Sequence, residues 1–448
     1  MNEGPDELAA MLAAALSDTP AGVEIELSAL AARRVALRLV DGAVSEAIDS
    51  VLQRVRVRAA VGNQVASVLV GASDLLSVRG AIAEAATRAR RAPPRGYFDG
   101  FGSETVASPL PTATEEAVIA IAHEVHDEAR AAGARISGAV ESTTVTRAVA
   151  TTRGGRAQGA ERAIVLALQA AVVGDPATAR DCAIAEVGAA LDVATRVRKL
   201  VADVETHRKA EPPSRGTYDV VLGPAAVGEL IEWLSLIGLG GRAVLDGESF
   251  LDALDGSASW FSLVDDPRLF GSLGAHFDSE GAPTPPRALV RQGRAAGCVH
   301  DRATAAEART RPAPPFGIVA STGHAAPLDD ELGDGAPIAR HLAMASGALT
   351  DQELLADIDD GLYIPHLHYV NGLIDPPRAV MTGLSRHGLR RITRGRLGAP
   401  VVDLRFTESM LSAFARVDGV GARLVTLRGG LGLVRCPALR LRGLALLA

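Results

Sequence analysis

The sequence has few cysteines, no long uncharged stretch and fewer basic than acidic residues, and each of these shortages excludes a class of protein. Only three of its 448 residues are cysteines, and they lie far apart, so a disulfide framework is not expected and a reducing compartment fits best. No stretch of 18 residues is free of charged side chains, so no membrane-spanning helix is predicted. The first residues carry acids where a secretion signal needs bases, and we expect a cytoplasmic protein.

Positive charge is also in deficit. The chain has 46 basic and 53 acidic residues, a net charge of -7, and only two lysines, Lys199 and Lys209. Because affinity for nucleic acids depends on clustered cations, this balance argues against a nucleic-acid partner. With 48% hydrophobic and 22% charged residues the chain is typical of a soluble globular protein, and at about three times the usual ~150 residues per domain it should form two domains.

The pattern of apolar residues predicts an α+β fold. An N-terminal α+β domain, residues 1–206, should begin with the order helix, four strands, helix, with a first helix over 6–17, strands over 23–27 and 35–40 among the four, and a second helix over 74–91. Hairpin turns are expected at Asp41-Gly42 and Gly62-Asn63. A loop over 92–112, a helix from Thr114 to Gly133, strands over 136–151 and 162–173, and a long Ala-rich helix over 176–204 complete the domain.

The second half of the chain is predicted to be mostly β. Residues 207–216, HRKAEPPSRG, have the composition of a linker, and the C-terminal domain should span 217–448. Within it, only residues 225–237 and 351–358 have a convincing helical pattern. The expected architecture is therefore an N-terminal domain of sheet and helices followed by a mostly β domain.

Two histidine pairs have a spacing that could bind a metal. His123 and His126 are three residues apart on a predicted helix, but the spacing is not that of HExxH and no third ligand is near in sequence, so a solvated pair is preferred. His366 and His368 alternate in a predicted strand and would face the same side. A metal there remains open beside the more common solvent-facing or interface role.

Other short motifs favour structural roles. The glycine-bearing stretches 238–241 and 429–432 lack the lysine of a phosphate loop and are interpreted as turns or bulges. Ser249 lacks the second glycine of a nucleophile elbow. In the polar stretch 265–286, Asp278 and Glu280 flank Ser279 before Gly281, where they could bind an amine or cation, although a hydrogen-bonded loop is the preferred reading.

Several blocks of the C-terminal half, in conserved order, resemble the TldD/PmbA family of metallopeptidase subunits and their relatives, in which PmbA is also called TldE. The blocks are Tyr218-Asp219-Val220-Val221-Leu222, Gly247-Glu248-Ser249-Phe250-Leu251, Asp265-Asp266-Pro267, Phe277-Asp278-Ser279-Glu280-Gly281, Ser321-Thr322-Gly323-His324, Gly361-Leu362-Tyr363-Ile364, Asp375-Pro376, Thr382-Gly383 with Arg386, and Leu404-Arg405-Phe406-Thr407-Glu408-Ser409.

The resemblance also leads us to look for the zinc-binding motif of the family's catalytic members, which this sequence lacks. Catalytic TldD-like members carry an HExxxH helix, completed by a later cysteine as zinc ligand. The matching helix here contains no histidine: Glu232 takes the first ligand position, Trp233 that of the general base and Ile237 the second ligand. Tryptophan cannot accept a proton from water and isoleucine cannot bind zinc. Cys436, in an apolar strand, is interpreted as a core thiol.

The chain is therefore similar to the PmbA (TldE) side of the family, and the resemblance implies a non-catalytic subunit in proteolysis of unfolded peptides. It would hold no cofactor, zinc being expected only in a TldD-like catalytic partner, and would bind an extended peptide. A self-sufficient metal-dependent peptidase with a non-standard site and a peptide-binding homodimer without catalysis remain alternatives. By family position, the residues of the peptide groove or interface would be Asp278, Glu280, Gly281, Thr322, Gly323, Thr382 and Gly383.

Overall fold

The fold is taken from a computed structural model, which describes residues 4–71, 74–108, 117–175, 177–186, 191–213, 216–328 and 335–447. Four predictions fall partly outside these ranges: the helix start at Thr114, residues 109–112 of the loop, residues 176 and 187–190 of the long helix, and residues 214–215 of the linker. No helix within them is long and apolar enough to cross a bilayer.

The first half of the chain forms a seven-stranded sheet. Its order is β3-β2-β1-β5-β6, and β6 also pairs with β7 and, in parallel, with β4. The strands are β1 (Glu24–Val40), β2 (Ala43–Val61), β3 (Gln64–Val70), β4 (Thr105–Ala107), β5 (Arg135–Thr151), β6 (Arg156–Ala171) and β7 (Thr178–Glu186). The turns predicted at Asp41-Gly42 and Gly62-Asn63 join β1 to β2 and β2 to β3, and Gly42 and Gly62 have the positive φ that such turns require.

In the described part of this half, four helices pack on the sheet and form two apolar clusters with it. They are α1 (Pro5–Leu16), α2 (Leu75–Ala89), α3 (Ala117–Ala131) and α4 (Val193–Thr206). Leu8 and Leu12 of α1 pack with Ile82 of α2 and with β1 and β2 in one cluster. Val125 of α3 and Leu200 of α4 pack with β5, β6 and β7 in the other. The buried positions recur at helical spacing, as the apolar pattern indicated.

Two predictions for this half were wrong. Residues 24–27 and 35–40 are not in separate strands but belong to the single strand β1, so the described part of the first unit has three strands rather than four. β1 hydrogen-bonds to β2 on one side and β5 on the other, and this pairing carries the strand through the polar middle of the segment. The predicted Ala-rich helix over 176–204 is instead strand β7 followed by α4, because β7 pairs with β6 over Ala163–Ala171 and this tertiary contact overrides the helical propensity of alanine.

The second half is mostly β, as predicted, and contains two sheets. The six-stranded sheet has the order β11-β10-β9-β12-β21-β20. Its strands are β9 (Leu263–Asp265), β10 (Arg287–Arg291), β11 (Arg294–Ala295), β12 (His341–Met344), β20 (Val425–Arg428) and β21 (Leu433–Cys436). The stretch 429–432 is the turn between β20 and β21, as its glycines indicated.

The nine-stranded sheet has the order β14-β15-β18-β22-β8-β13-β16-β17, with β19 paired to β22. Its strands are β8 (Gly216–Leu222), β13 (Asp360–Ile364), β14 (His366–Asp375), β15 (Val380–Arg386), β16 (Arg390–Thr393), β17 (Arg396–Pro400), β18 (Arg405–Ser409), β19 (Val417–Val420) and β22 (Leu439–Leu447). The helices of this half are α5 (Pro224–Leu234), α6 (Gly241–Asp246), α7 (Arg302–Ala308), α8 (Asp351–Ala356) and α9 (Met410–Phe414).

Helix α5 lies in the main apolar cluster of this half, in contact with strands of both sheets. The helix predicted over 225–237 is therefore present, but it changes after Leu234 into a π-helical turn, Ser235–Leu239. Such turns are rare and often lie at functional sites. This places the helix that resembles the family's zinc-binding segment at the centre of the C-terminal half.

Candidate functional site

The side chain of Glu232 binds the turn between β20 and β21 rather than facing open solvent. Glu232 is only 9% exposed, and its Oε1 accepts a hydrogen bond from the backbone N–H of Leu431 at 2.6 Å. The amides of Gly430 and Gly432 also interact with this carboxylate. Burial raises its pKa, while the three amides act in the opposite direction. A β-carbon at Gly429 would lie 2.1 Å from Oε1, so any larger residue there would have to displace the carboxylate of Glu232.

The neighbouring positions are filled by apolar packing. Trp233 and Ile237 both contact strand β14 at Gly372, where an added β-carbon would lie 3.0 Å from the indole and 3.3 Å from Ile237. Ile237 is buried in the main apolar cluster. Glu229, one turn earlier, hydrogen-bonds to Trp233, and burial and the charge of Glu232 raise its pKa. The helix face is thus occupied by packing and by a loop contact.

The residues of this helix do not fit the zinc that the resemblance implies for catalytic members. Glu232 already accepts backbone hydrogen bonds, and Trp233 and Ile237 offer no zinc ligand. Cys436 donates to the carbonyl of Pro224 at 3.2 Å, and burial raises the pKa of its thiol to about 12, so it is a protonated core thiol at neutral pH. Within the described ranges, no three His, Cys, Asp or Glu side chains are placed to hold a metal ion.

The two histidine pairs have other contacts. His366 lies at the start of β14 with its ring 5.9 Å from that of His387, and burial and Arg180 lower the pKa of His366 to about 4. His368 packs against Tyr369. His126 on α3 lies with Nδ1 2.9 Å from the carbonyl of Gly42, where it bridges the helix to the β1–β2 turn.

Ser249, the serine of the incomplete nucleophile elbow, makes two hydrogen bonds to the backbone. Ser249 Oγ donates to the carbonyl of Gly238 at 2.6 Å and accepts from the N–H of Leu251 at 3.1 Å. Both bonds hold the chain that follows α6, which is the structural role expected from the sequence.

Five of the seven residues predicted from the family blocks form one buried cluster. Asp278 Oδ1 accepts from the N–H groups of Glu280 and Ala282, and Oδ2 accepts from that of Ala325, each at 2.9 Å. Burial, together with the charge of Glu280, raises the pKa of Asp278 to about 7. The segment 278–282 is thereby closed into a tight loop against residues 321–325.

Glu280 connects this loop to the first sheet. Its Oε1 lies 2.6 Å from Arg58 Nη1 on β2, and Arg58 also contacts Glu26 of β1 at 3.1 Å. Its Oε2 accepts from the N–H of Arg302, the first residue of α7. Glu26 is fully buried, and burial raises its pKa. Gly281 packs against Val149 of β5, so this loop joins the two halves of the chain.

Thr322 and Gly323 form the other side of the cluster. Thr322 Oγ1 accepts from the N–H of His300 at 2.7 Å, and Thr284 Oγ1 donates to the carbonyl of Gly323 at 2.8 Å. Gly323 has φ of +77°, and a β-carbon there would lie 2.0 Å from the carbonyl oxygen of Pro283. Only glycine combines this conformation with this close approach.

The remaining two predicted residues, Thr382 and Gly383, lie elsewhere, on β15 of the nine-stranded sheet. Thr382 Oγ1 donates to the carbonyl of Phe406 at 2.8 Å. Gly383 faces the Phe406 ring and Val370, where a β-carbon would be 2.7 Å and 3.0 Å away. Their contacts are thus with the neighbouring strands β14 and β18.

Sequence reasoning missed a buried carboxylate and two histidines beside the cluster. Asp265 Oδ1 lies 3.2 Å from His324 Nε2 and 3.8 Å from His341 Nδ1, while Oδ2 accepts from the N–H groups of Arg340 and His341. Although burial alone would raise it, the two imidazoles hold the pKa of Asp265 well below its usual value. Asp265 and His324 stand in two of the quoted blocks, but nothing in the sequence brings them together across 59 residues.

Two of the clefts among the described residues lie between the halves of the chain. One, of about 580 Å³, is lined by Glu229 and Glu232 of α5, by β7 and by His366 and His387. The other, of about 430 Å³, lies between β5, β6 and the turn 429–432. Arg428 and Gly429 border both clefts, so the turn that Glu232 holds is the partition between them.

Comparison with known proteins agrees with the blocks identified in the sequence. A family profile described as the PmbA/TldA metallopeptidase C-terminal domain matches residues 215–447, about half of the chain. A Methanothermobacter thermautotrophicus protein named "Metalloprotease" is 26% identical over 221 residues, a match that covers 48% of this chain and 45% of that protein. The match thus spans somewhat less than half the length of this relative.

Solved structures share the whole architecture. TldE from Thermococcus kodakarensis superimposes with a TM-score of 0.82 and 16% identity, covering 98% of this chain and 99% of that one. A proposed modulator of DNA gyrase from Thermotoga maritima gives a TM-score of 0.78 at 16% identity, with coverage of 98% and 99%. At this identity the likeness shows a common mixed α and β fold.

Proposed function

Because this chain belongs to the PmbA/TldD metallopeptidase family, we propose that it is a non-catalytic subunit of the PmbA (TldE) kind. It would act with a TldD-like catalytic subunit in the proteolysis of unfolded peptides, in the cytoplasm. In this proposal the catalytic zinc belongs to the partner, and this chain supplies peptide-binding surface.

The contacts of Glu232, Trp233 and Ile237 carry the proposal. The positions that would supply a zinc ligand, a general base and a second ligand instead supply an acceptor for a backbone turn and two apolar groups packed on β14. Histidine in place of Glu232 would remove the acceptor of the 429–432 turn, so a zinc ligand and this contact exclude each other at position 232. The helix is built as a structural element.

The peptide-binding role is supported by the two clefts between the halves of the chain. An extended peptide can be held there through its main chain, which gives affinity with little dependence on sequence. Asp278 and Gly323 line a small pocket that shares Arg147, Arg340 and His341 with the 430 Å³ cleft. Glu280, Gly281 and Thr322 are buried next to them, and we propose that these five residues fix the wall of the groove rather than touch the peptide. Thr382 and Gly383 would instead belong to a surface that meets the partner.

Mixing with a catalytic relative tests this proposal. The purified full chain should not cleave an unstructured peptide alone, and cleavage should require a relative that carries HExxxH, added in stoichiometric amount. Size-exclusion chromatography should show a complex of the two chains. If the catalytic relative forms no complex with this chain and its cleavage rate is unchanged by it, the proposal is wrong.

A further inference from the structure

We propose that the contact between the two halves of the chain is sensitive to protons: Glu26 holds a proton while the halves are docked, and loss of this proton weakens the docking. The inference concerns the junction alone and does not depend on the proposed peptide-binding role. Its basis is a buried group of charged side chains in which carboxylates outnumber the guanidinium groups that can neutralise them.

The charged side chains of the junction come from β1 and β2 of the first half and from the loop 278–282 and the start of α7 in the second half. Among the described residues, the carboxylates are Glu26, Asp278, Glu280 and Asp301, and the guanidinium groups are those of Arg56, Arg58 and Arg302. Glu104, just before β4, pairs with Arg302 at 2.7 Å, so these two side chains neutralise each other. Four carboxylates therefore face the two guanidinium groups of β2.

One guanidinium nitrogen is shared between two of these carboxylates. Arg58 Nη1 lies 2.6 Å from Glu280 Oε1 and 3.1 Å from Glu26 Oε1. Arg56 does not balance Glu26 either, because its Nη2 lies 3.9 Å from Glu26 Oε1 and donates instead to the carbonyl and the hydroxyl of Ser279. Arg58 is neutralised by Glu280, its closer partner, and Glu26 is left without an equivalent positive charge.

Glu26 is also the carboxyl group whose hydrogen bonding leaves room for a proton. It is fully buried, and within the described part of the chain its Oε2 has no hydrogen-bond partner. In contrast, both oxygens of Asp278 accept backbone N–H groups. A buried carboxylate with an unpaired oxygen is far more costly than a neutral carboxyl group at the same place. Burial accordingly raises the pKa of Glu26, against the opposing charge of Arg58.

Loss of the proton from Glu26 places a second charge beside Glu280, with no further guanidinium group to balance it. Because the pKa of Glu26 is raised on folding, the folded protein binds more protons than the unfolded chain, and the junction loses stability as pH rises. Burial and then the charge of Glu280 raise the pKa of Asp278 to about 7, so the effect of the cluster extends to neutral pH. The halves should dock most firmly in mild acid.

Glu26→Gln tests the inference on the full chain, because glutamine has the shape of the protonated side chain and cannot ionise. Chemical denaturation of both proteins between pH 5 and pH 8 gives their unfolding equilibrium constants, and the ratio of the two isolates the proton of residue 26. We expect the wild-type constant to rise at least about tenfold relative to that of the variant over this range, which makes Glu26→Gln the more stable protein at pH 8.

An ordinary ion pair between Glu26 and Arg58 gives a different result. Glu26→Gln would then be less stable than the wild type by the same factor at every pH, and this outcome would overturn the inference. Glu84→Gln is the matched control, since Glu84 pairs with Arg88 on the exposed surface of α2 and its ratio to the wild type should not change with pH.

A measurement on the wild type alone covers the case in which the variant does not fold. The amide of Arg302 donates to Glu280 at the junction, whereas the amides of α3 lie outside it. Hydrogen exchange, corrected for its intrinsic dependence on pH, should show protection of the segment 299–304 falling at least about threefold from pH 6 to pH 8, with no such fall in α3. Equal protection of the junction segment at the two pH values would contradict the proposal.

Discussion

Replacing Glu232 by alanine should loosen the turn between β20 and β21 without disturbing the rest of the protein. The carboxylate accepts from the amide of Leu431 at 2.6 Å and interacts with those of Gly430 and Gly432. A hydrogen bond to a charged group contributes about 1.5–3 kcal/mol. Because the turn is partly exposed and water can replace some of these contacts, we expect a loss of about 2 kcal/mol in the free energy of opening this turn.

Hydrogen exchange measures that loss directly. A change of about 2 kcal/mol corresponds to exchange about 30-fold faster at the amides of residues 430–432. Glu232→Gln, which keeps a neutral acceptor, should have roughly half the effect in kcal/mol. Glu229→Ala is the matched control, because its carboxyl interacts with Trp233 rather than with the turn. Unchanged exchange at 430–432 in Glu232→Ala, or an equal effect in Glu229→Ala, would refute this account of the helix.

Three further substitutions, at Glu280, Gly323 and His366, test contacts at or near the junction between the two halves of the chain. Glu280→Ala leaves Arg58 buried without its closest partner and should cost about 3–5 kcal/mol in chemical denaturation; a loss under about 1 kcal/mol would contradict the buried pairing. Gly323→Ala should lower the free energy of unfolding by at least about 2 kcal/mol. The control is Gly247→Ala, which should cost about 1 kcal/mol because Gly247 has nearly the same positive φ but open space around it. Equal losses would show that the close approach of Gly323 to Pro283 is unimportant. The pKa of His366 is lowered to about 4 from 6.5, so the stability that comes from its neutral ring is present at pH 7 and lost as pH falls from about 6.5 to 4. Between pH 7 and pH 4 the free energy of unfolding of the wild type should fall by up to about 3 kcal/mol more than that of His366→Gln, which has no such group to protonate. Identical pH profiles of stability for the two proteins would contradict this.

Local signals predicted the elements whose geometry is local. The turn residues of the first two hairpins and the apolar stripes of α1, α3 and α5 each determine a conformation within a few residues. The prediction of one helix over 176–204 was wrong because alanine is compatible with both helix and strand, and only pairing with β6 makes part of this segment a strand. The prediction of two short strands in place of β1 was wrong for the same reason, because both strands that pair with β1 come later in the chain.

In the candidate site, too, the sequence indicated individual residues but not their distant partners. The family blocks pointed to the loop containing Asp278 and Glu280, but its partner Arg58 lies 222 residues away, and no pattern in the sequence connects them. Likewise, the resemblance placed Glu232 at the position of a zinc ligand but could not predict that its carboxylate binds a turn 199 residues later. Contacts of this kind depend on how the two halves assemble, which a single sequence does not state.

Metal content of the isolated chain, measured together with its peptidase activity, is the most direct test of the proposed role. We expect the protein purified from its native cell to hold far less than one transition-metal ion per chain, and its peptide cleavage to be absent with or without a chelator. One tightly bound ion per chain, with hydrolysis that is lost when the ion is removed and restored when it is returned, would contradict a non-catalytic subunit.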